Sequence, residues 1–344
     1  MESTHSCDVS VIVSVYNQNT TLALLLNLLT QQNYTGPWEI IVCDDGSDTD
    51  TLSVIQAASR CFDGRLRYVW QSRNGWGLAK SRNNALRCAN GNVIVFMDAD
   101  LAVPPDFVSR HASCHSDGKR RLVCGTRRWL FLDELPQGIS LAGFVPALLT
   151  SQTGMSALYS EVQYQKKYAN SPCPWFSCFG CNFSFSRGDQ PLLFDEMFNG
   201  WGGEDTEFAC RLNLRHGYEI SLEPESVALH LEGGRRRFIG VRPKSHDQIV
   251  QFLRNMVYLC DCYPEFDMSP AFESFGFFEL DAESNNWSRA SRPRFSQAHI
   301  HSIFAIAQRW LTDSGLRLAA RYRDRAETAR SSSMAIGSAS ALVV

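Results

Sequence analysis

The sequence has no apolar run long enough to cross a membrane and no large excess of charge of either sign. Its 344 residues are 44% hydrophobic and 20% charged, and the formal net charge is -3. A membrane-spanning helix needs about 20 consecutive apolar residues. The nearest candidate, residues 139–150, is shorter and contains Gly143 and Pro146. The small net charge gives no general attraction to nucleic acid or to acidic membranes.

The sequence also lacks a secretion signal and the paired cysteine motifs of a zinc site. Residues 1–8 are short and polar, unlike a signal peptide. Twelve cysteines are present, several of them inside apolar runs, as expected for reduced thiols in the cytoplasm. Cys173, Cys178 and Cys181 have neither a second CxxC nor a histidine pair beside them, which argues against zinc. We therefore expect a cytoplasmic protein that binds no nucleic acid.

Apolar segments alternate with helical segments over the first hundred residues. The predicted strands are residues 9–15, 38–43, 66–70 and 93–97. This order predicts an α/β fold with a mostly parallel central sheet flanked by helices. Ligands of such open sheets bind beyond the carboxyl ends of the strands. Polar clusters follow the first, second and fourth strands at that edge: Tyr16-Asn17, Asp44-Asp45 and Asp98-Ala99-Asp100.

The rest of the chain is less regular. Residues 127–174 carry no clear pattern; the later predicted elements are a strand at 182–186, a helix at 204–216 ending at Gly217, a strand at 227–229, and helices at 244–258 and 298–325. We expect one domain at 1–240, with two halves at 1–125 and 126–240. A helical extension at 241–330 and a flexible tail at 331–344 would follow.

Asp98 and Asp100 form a pair of carboxylates at the end of a buried strand. Hard cations such as Mg²⁺ and Mn²⁺ take oxygen ligands and keep positions open for phosphate oxygens. A diphosphate bound there would become a better leaving group. The alternative is a turn with exposed acids. His230 follows a later apolar strand and either completes this metal site or has a structural role.

Two further clusters carry acidic residues at positions suited to ligand binding. Asp44 or Asp45 could accept a hydrogen bond from an imide N–H such as that of uracil; the alternative is an Asx turn with a helix cap. In the segment GWGGED, residues 200–205, Trp201 offers a flat apolar face for a sugar ring. Glu204 and Asp205 stand where a helix begins, and an ionised carboxylate beside a sugar hydroxyl suits a general base.

The basic residues of two segments each allow two interpretations. Gly233 and Gly234 precede Arg235, Arg236 and Arg237. This segment could close over a diphosphate or be a solvated charge run. Arg82, on the helix after Asn74, could reach the nucleotide or lie on an exposed helix face.

These motifs together resemble those of family 2 glycosyltransferases and the wider group of inverting enzymes with the nucleotide-sugar GT-A fold. The motifs of the first half are VSVIVSVYN (9–17), CDDGS (43–47), NGWGLAKSRNNAL (74–86) and FMDAD (96–100). The motifs of the second half, GCNFSFSR (180–187), FNGWGGEDTEFACRL (198–212) and ALH (228–230), are similar to a galactosyltransferase-type module. None of these motifs lies after residue 240.

The resemblance implies that 1–240 is a catalytic domain, with a nucleotide-binding half at 1–125 and an acceptor half at 126–240. It also implies a role for each matching position. Asp98, Asp100 and His230 would bind Mn²⁺ or Mg²⁺, Asp205 would be the catalytic base, and Glu204 would hold the acceptor. The implied donor and nucleotide site comprises Val13, Tyr16, Asp44, Asp45, Asn74, Arg82, Asp98, Ala99, Asp100 and Asn182. The implied acceptor site comprises Trp201, Gly202, Gly203 and Glu204.

The resemblance implies transfer of a sugar, with inversion, from a UDP-sugar to a saccharide or another hydroxyl acceptor, in polysaccharide or glycoconjugate biosynthesis. One alternative is a nucleotidyltransferase that makes nucleotide sugars, but the loop at 16–19 has neither glycine nor lysine to hold phosphates. The other is a non-catalytic module that binds nucleotide sugars. The C-terminal helix would allow peripheral association with the inner face of a membrane, or pack on its own core.

Overall fold

A computed structural model of the chain describes residues 8–188, 191–233, 246–266, 279–281, 286–288 and 341–342. These residues belong to two compact units. The first holds 8–188, 191–197, 204–233 and 341–342, and the second holds 198–203, 246–266, 279–281 and 286–288. The predictions for Arg235, Arg236 and Arg237, for the helix at 298–325 and for most of the tail lie outside the described residues.

The first unit is built on a sheet of ten described strands. In chain order these are β1 (Val9–Val15), β2 (Trp38–Asp44), β3 (Leu66–Trp70), β4 (Val93–Asp98), β5 (Leu101–Ala102), β6 (Arg121–Phe131), β7 (Tyr159–Ser160), β8 (Asn182–Ser186), β9 (Glu219–Glu232) and, after two strands of the second unit, β12 (Ala341–Leu342). The second unit contains β10 (Glu279–Asp281) and β11 (Asn286–Ser288), which pair antiparallel.

Helices connect the strands of the first unit. They are α1 (Asn19–Leu29), α2 (Thr51–Ser59), α3 (Leu78–Cys88), α4 (Phe107–Ser113), α5 (Leu141–Thr150), α6 (Gln152–Ala157), α7 (Val162–Ala169) and α8 (Glu204–His216), with 3₁₀ turns at Leu132–Glu134 and Pro174–Ser177. The second unit contains α9 (His246–Cys262). None of the described helices combines the length and apolar character of a membrane span.

The strand order is β12-β3-β2-β1-β4-β8-β6-β9-β5, with β7 beside β6. Strands β3, β2, β1 and β4 are parallel, which confirms the predicted α/β core. All residues of β1 are buried because the strand has neighbours on both sides and covered faces. Beyond β4 the sheet is mixed: β8 is antiparallel to β4 and β6, β6 is parallel to β9, and β9 is antiparallel to β5.

The second half of the sheet differs most from the sequence prediction. β6 and the helices α5 to α7 occupy the region predicted to be irregular, and β9 extends far beyond the predicted strand at 227–229. Buried Arg127 interrupts the apolar pattern of β6, and Pro224 interrupts that of β9. In contrast, α8 has the predicted bounds, and Gly217 after it adopts a φ of 67°, which is typical of a helix C-cap.

Candidate active site

Three polar loops meet at the carboxyl edge of the sheet because β2, β1 and β4 are adjacent and parallel. Ser14, near the end of β1, lies opposite Cys43 on β2 and Asp98 on β4. The Ala99 N–H donates to the Ser14 carbonyl at 2.9 Å. The sequence clusters after these strands therefore converge as predicted.

Asp45 lies beside an arginine that packs against an aromatic ring. The carboxylate is buried, and it accepts hydrogen bonds from Gln71 Nε2 at 2.6 Å and from the Gly77 N–H at 2.9 Å. Arg73 Nη1 donates to Asp45 Oδ2, the oxygen that also accepts from the Gly77 N–H. The Arg73 guanidinium lies 3.6 Å from the centroid of the Tyr16 ring, so these two planar groups pack together next to Asp45.

Asp44 has a structural role that the Asx-turn alternative describes. Its Oδ1 accepts from the Ser47 N–H at 2.8 Å, and its Oδ2 accepts from the Tyr68 hydroxyl at 2.7 Å. Asp50 caps α2 by accepting from the Ser53 N–H. The Asx-turn interpretation therefore applies to Asp44, and Asp50 supplies the helix cap. Recognition of a base by Asp45 stays a prediction. Asn74 is exposed in the following loop.

Asp100 and His230 are brought together by the pairing of β5 with β9. Leu101 lies opposite His230, and the Leu231 N–H donates to the Asp100 carbonyl at 2.8 Å. Asp100 Oδ2 accepts from Gln18 Nε2 at 2.7 Å. Asp100 Oδ1 is buried without a hydrogen-bond partner and lies 3.7 Å from His230 Nε2.

This pair fits one divalent ion. Two ligand atoms, each about 2.1 Å from the same ion, lie about 3 to 4 Å apart, and the orphaned oxygen of Asp100 supplies a free lone pair. Asp98 stands two residues earlier, with its side chain 30% exposed and its Oδ1 bonded to Arg82. Within the described residues, no group of three or more histidine, cysteine, aspartate or glutamate side chains is arranged to hold a metal ion.

Arg82 is a buried cation at the centre of the site. Its guanidinium donates to Asp98 Oδ1 at 3.1 Å, to Glu204 Oε1 at 3.0 Å and to the Gly180 carbonyl at 3.0 Å. Its Nε lies 3.2 Å from Ser14 Oγ. Arg82 is 1% exposed, which excludes the exposed-helix alternative. One guanidinium therefore links Asp98 to the start of α8.

Asp205 and Glu204 have different surroundings at the start of α8. Asp205 is half-buried, and its two oxygens accept from the Gly180 N–H and the Thr206 N–H, each at 2.7 Å. Glu204 is buried, and its Oε2 has no hydrogen-bond partner. Burial, together with the charge of Asp205, raises the pKa of Glu204 to about 7, although Arg82 acts in the opposite direction.

Residues 10–188 match the model described as glycosyl transferase family 2, and residues 161–229 match the one described as the N-terminal domain of galactosyltransferase. The chain belongs to glycosyl transferase family 2.

Known glycosyltransferases share sequence or fold with this family 2 member. A hyaluronan synthase from Pasteurella multocida is 28% identical over 239 residues, which cover 65% of this chain and 24% of the synthase. The mannosyltransferase PcManGT from Pyrobaculum calidifontis, solved with GDP-Man and Mn²⁺, has a TM-score of 0.53 at 17% identity and covers 94% of this chain and 81% of its own.

A second solved structure is TarS 1-349 from S. aureus in complex with UDP-GlcNAc. It has a TM-score of 0.50 at 19% identity, over 77% of this chain and 69% of that chain. These two likenesses show that the fold is the GT-A fold predicted from the sequence.

The chain spans about a quarter of the length of the hyaluronan synthase, 24%.

The remaining predicted donor residues of this family 2 member are buried. Val13 and Ala99 are inside the apolar core. Asn182 is 1% exposed and donates to the carbonyls of Thr126 at 2.7 Å and Ser226 at 2.9 Å. Its Oδ1 lies 3.0 Å from His111 Nε2. Asn182 thus ties β8 to β6 and β9, and its contact with the donor sugar stays a prediction.

The predicted acceptor residues before Glu204 lie in the second unit, where they pack on α9. The Trp201 N–H donates to Gln251 Oε1 at 3.0 Å, and the Trp201 ring lies 6.2 Å from that of Phe252. Asn255 Nδ2 donates to the Gly202 carbonyl at 2.7 Å. Binding of an acceptor by Trp201, Gly202 and Gly203 stays a prediction.

Four residues of the site were missed from the sequence. They are Gln18, Gln71, Arg73 and Gly180. Three of them stand within or next to a recognised motif: Gln18 follows VSVIVSVYN, Arg73 precedes NGWGLAKSRNNAL, and Gly180 begins GCNFSFSR. Gln71 lies three positions before Asn74. Their positions gave a signal, but only the folded loops reveal which carboxylate each one contacts.

Proposed function

We propose that the chain is an inverting, divalent-metal-dependent glycosyltransferase. It would transfer a hexose or N-acetylhexosamine from a UDP-sugar to a hydroxyl of a saccharide or a similar acceptor. The observation that carries this proposal is the Arg82 guanidinium between Asp98 and Glu204, because it joins a leaving-group side and a proton-accepting side in one site. Membership of family 2 favours this function over a nucleotidyltransferase or a non-catalytic binding module.

The base of the donor would bind beside Tyr16, Arg73 and Asp45. Asp45 Oδ1 has one protein donor, Gln71, and a carboxylate oxygen accepts two hydrogen bonds, so it can accept the imide N–H of uracil. Arg73 has further N–H groups that can donate to a base carbonyl. TarS, which shares the fold, was solved with UDP-GlcNAc, and this supports UDP as the nucleotide.

Asp100 and His230, with Asp98, would hold Mn²⁺ or Mg²⁺. A bound ion would offset the charge that develops on the departing diphosphate. Asp100 Oδ1 has the free lone pair for this role, and Gln18 fixes the other oxygen of the same carboxylate. PcManGT, which shares the fold, was solved with Mn²⁺.

Asp205 would be the general base. It would take the proton from the acceptor hydroxyl as that oxygen bonds to C1 of the donor sugar and the bond from C1 to the diphosphate oxygen breaks, which inverts the anomeric centre. The Gly180 and Thr206 N–H groups orient its carboxylate. Glu204 is less suited to this role because its Oε1 is bonded to Arg82 and its Oε2 is buried.

The test of this proposal is Asp205→Asn, which keeps the shape of the side chain and removes the base. We expect UDP to bind as in the wild type, while sugar transfer falls about 10²–10⁴-fold. The measurements are calorimetric titration with UDP and UDP release from a panel of UDP-sugars with saccharide acceptors. Asp63→Asn, in an exposed turn, is the matched control and should transfer normally. Transfer by Asp205→Asn at the wild-type rate would remove Asp205 from this role.

We also propose that this transfer serves polysaccharide or glycoconjugate synthesis at the cytoplasmic side of the cell. The similarity to a hyaluronan synthase supports a saccharide acceptor. Because the matched region is 24% of that synthase, the acceptor of this chain has to be identified by assay with saccharides of defined structure.

A further inference from the structure

The His230 imidazole is held in an unusual way for a metal ligand. A metal-binding histidine ordinarily donates its second ring nitrogen to a carboxylate or a carbonyl, which fixes the plane of the ring. In the described part of the chain, His230 Nδ1 is buried and has no such partner. Something other than a hydrogen bond therefore has to orient the ring.

The indole of Trp129 supplies that orientation. β6 and β9 pair in parallel with Trp129 directly opposite His230, so the two side chains are neighbours on the sheet. Their ring centroids are 4.4 Å apart and their planes are inclined by 33°. Rotation of the imidazole away from Asp100 would require the indole to move.

Trp129 is itself fixed by a buried ion pair. Its Nε1 donates to Glu161 Oε2 at 3.0 Å. The same oxygen accepts from Arg127 Nε, and the Arg127 guanidinium lies 4.7 Å from the centroid of the Trp129 ring. Glu161, Arg127 and Trp129 are 6%, 7% and 7% exposed. Burying an ion pair costs desolvation free energy. A function of the Arg127–Glu161 pair would account for its place in the interior.

We propose that Trp129 and Glu161 are positioning residues for His230: Glu161 fixes the indole, and the indole holds the imidazole with Nε2 facing Asp100. This inference rests on the metal site of the proposed function. It concerns residues that lie outside the sequence motifs of that site, and it assigns a role to the Arg127–Glu161 pair.

Removing the indole should therefore weaken metal binding through His230. Trp129→Leu should lower the affinity for Mn²⁺ about tenfold, the lower end of what loss of an outer-shell partner costs. Trp129→Phe keeps a ring beside the imidazole but loses the N–H that Glu161 holds, so its affinity for Mn²⁺ should lie between those of Trp129→Leu and the wild type. Glu161→Gln leaves Arg127 without a charged partner and the indole less firmly held. This variant should therefore bind Mn²⁺ about tenfold more weakly than the wild type.

The experiment is calorimetric titration of the full chain with MnCl₂ in the presence of UDP, with thermal unfolding recorded for each variant. Glu219→Gln, an exposed carboxylate at the start of β9, is the control and should bind Mn²⁺ like the wild type. A merely structural role would lower the melting temperature of Trp129→Leu and leave its Kd for Mn²⁺ unchanged, which would overturn the inference.

A double-variant cycle separates action through His230 from other effects. His230→Ala should weaken Mn²⁺ binding, and adding Trp129→Leu to it should weaken binding no further. Additive losses would contradict the role. If Trp129→Leu does not fold, the same double-variant cycle with Glu161→Gln in its place tests the positioning role. A wild-type chain that binds no Mn²⁺ would contradict the metal site itself. Variants that bind Mn²⁺ as tightly as the wild type does would contradict only the positioning role.

Discussion

Glu204 is a buried acid with one oxygen bonded to Arg82 and the other without a partner. Its pKa rises from 4.5 to about 7 because of burial and the adjacent Asp205. Between these values the folded chain keeps a proton that the unfolded chain releases. The stabilising contribution is therefore complete below pH 4.5 and is lost as the pH rises through about 7.

Glu204→Gln should remove this pH dependence, because glutamine does not titrate. We expect the free energy of unfolding of the variant, relative to that of the wild type, to increase by about 2 kcal/mol between about pH 5 and about pH 8. Denaturant unfolding at a series of pH values measures it. A difference that stays constant with pH would show that Glu204 has an ordinary pKa.

At the scale of elements, the segment between the turn at Pro174–Ser177 and β8 brings the two sides of the site together. The Gly180 N–H donates to Asp205, and the Gly180 carbonyl accepts from Arg82. A Cβ on residue 180 would lie 3.0 Å from both Arg82 Nη1 and Asp205 Oδ2. A side chain there would displace one of these groups by a few tenths of an ångström.

Gly180→Ala should therefore lower kcat about tenfold while the KM for the donor changes less than about threefold, because small misplacements of a catalytic group are costly. Steady-state kinetics of sugar transfer measures both constants. Gly143→Ala, in α5 with open space around the added methyl group, is the matched control. An unchanged kcat in Gly180→Ala would argue that Asp205 does not need its present position.

The elements also explain which parts of the structure could be predicted from the sequence. β1, β2, β3 and β4 carry nearly unbroken apolar runs because they are largely buried, and such runs are recognisable. β6 carries Arg127 in its interior, and an ion pair with Glu161 lets a charged residue be buried there. No local pattern identifies a partner that lies 34 positions away in the chain.

The candidate site could be predicted to a similar extent. The polar clusters after β1, β2 and β4 follow from the parallel order of the strands. The approach of His230 to Asp100 depends on the pairing of β5 with β9, and the two-residue strand β5 is too short to give a periodic signal. The motif order alone suggested that these two residues act together.

At the scale of the whole molecule, the residues proposed to hold the metal and to act as the base all belong to the first compact unit. The segment with Trp201 belongs to the second. The proposed mechanism therefore places one demand on the first unit: a diphosphate should leave only when the metal ligands and the base are both intact.

The most direct measurement of that demand is UDP release from a UDP-sugar and a saccharide acceptor, with Mn²⁺ or with EDTA, by the wild type and Asp100→Asn. We predict release that requires both Mn²⁺ and acceptor, and a fall of at least about 10²-fold in EDTA or in Asp100→Asn, since the ion supplies several kcal/mol of charge stabilisation. Equal release by Asp100→Asn, or full release in EDTA, would contradict a metal-assisted transfer at this site.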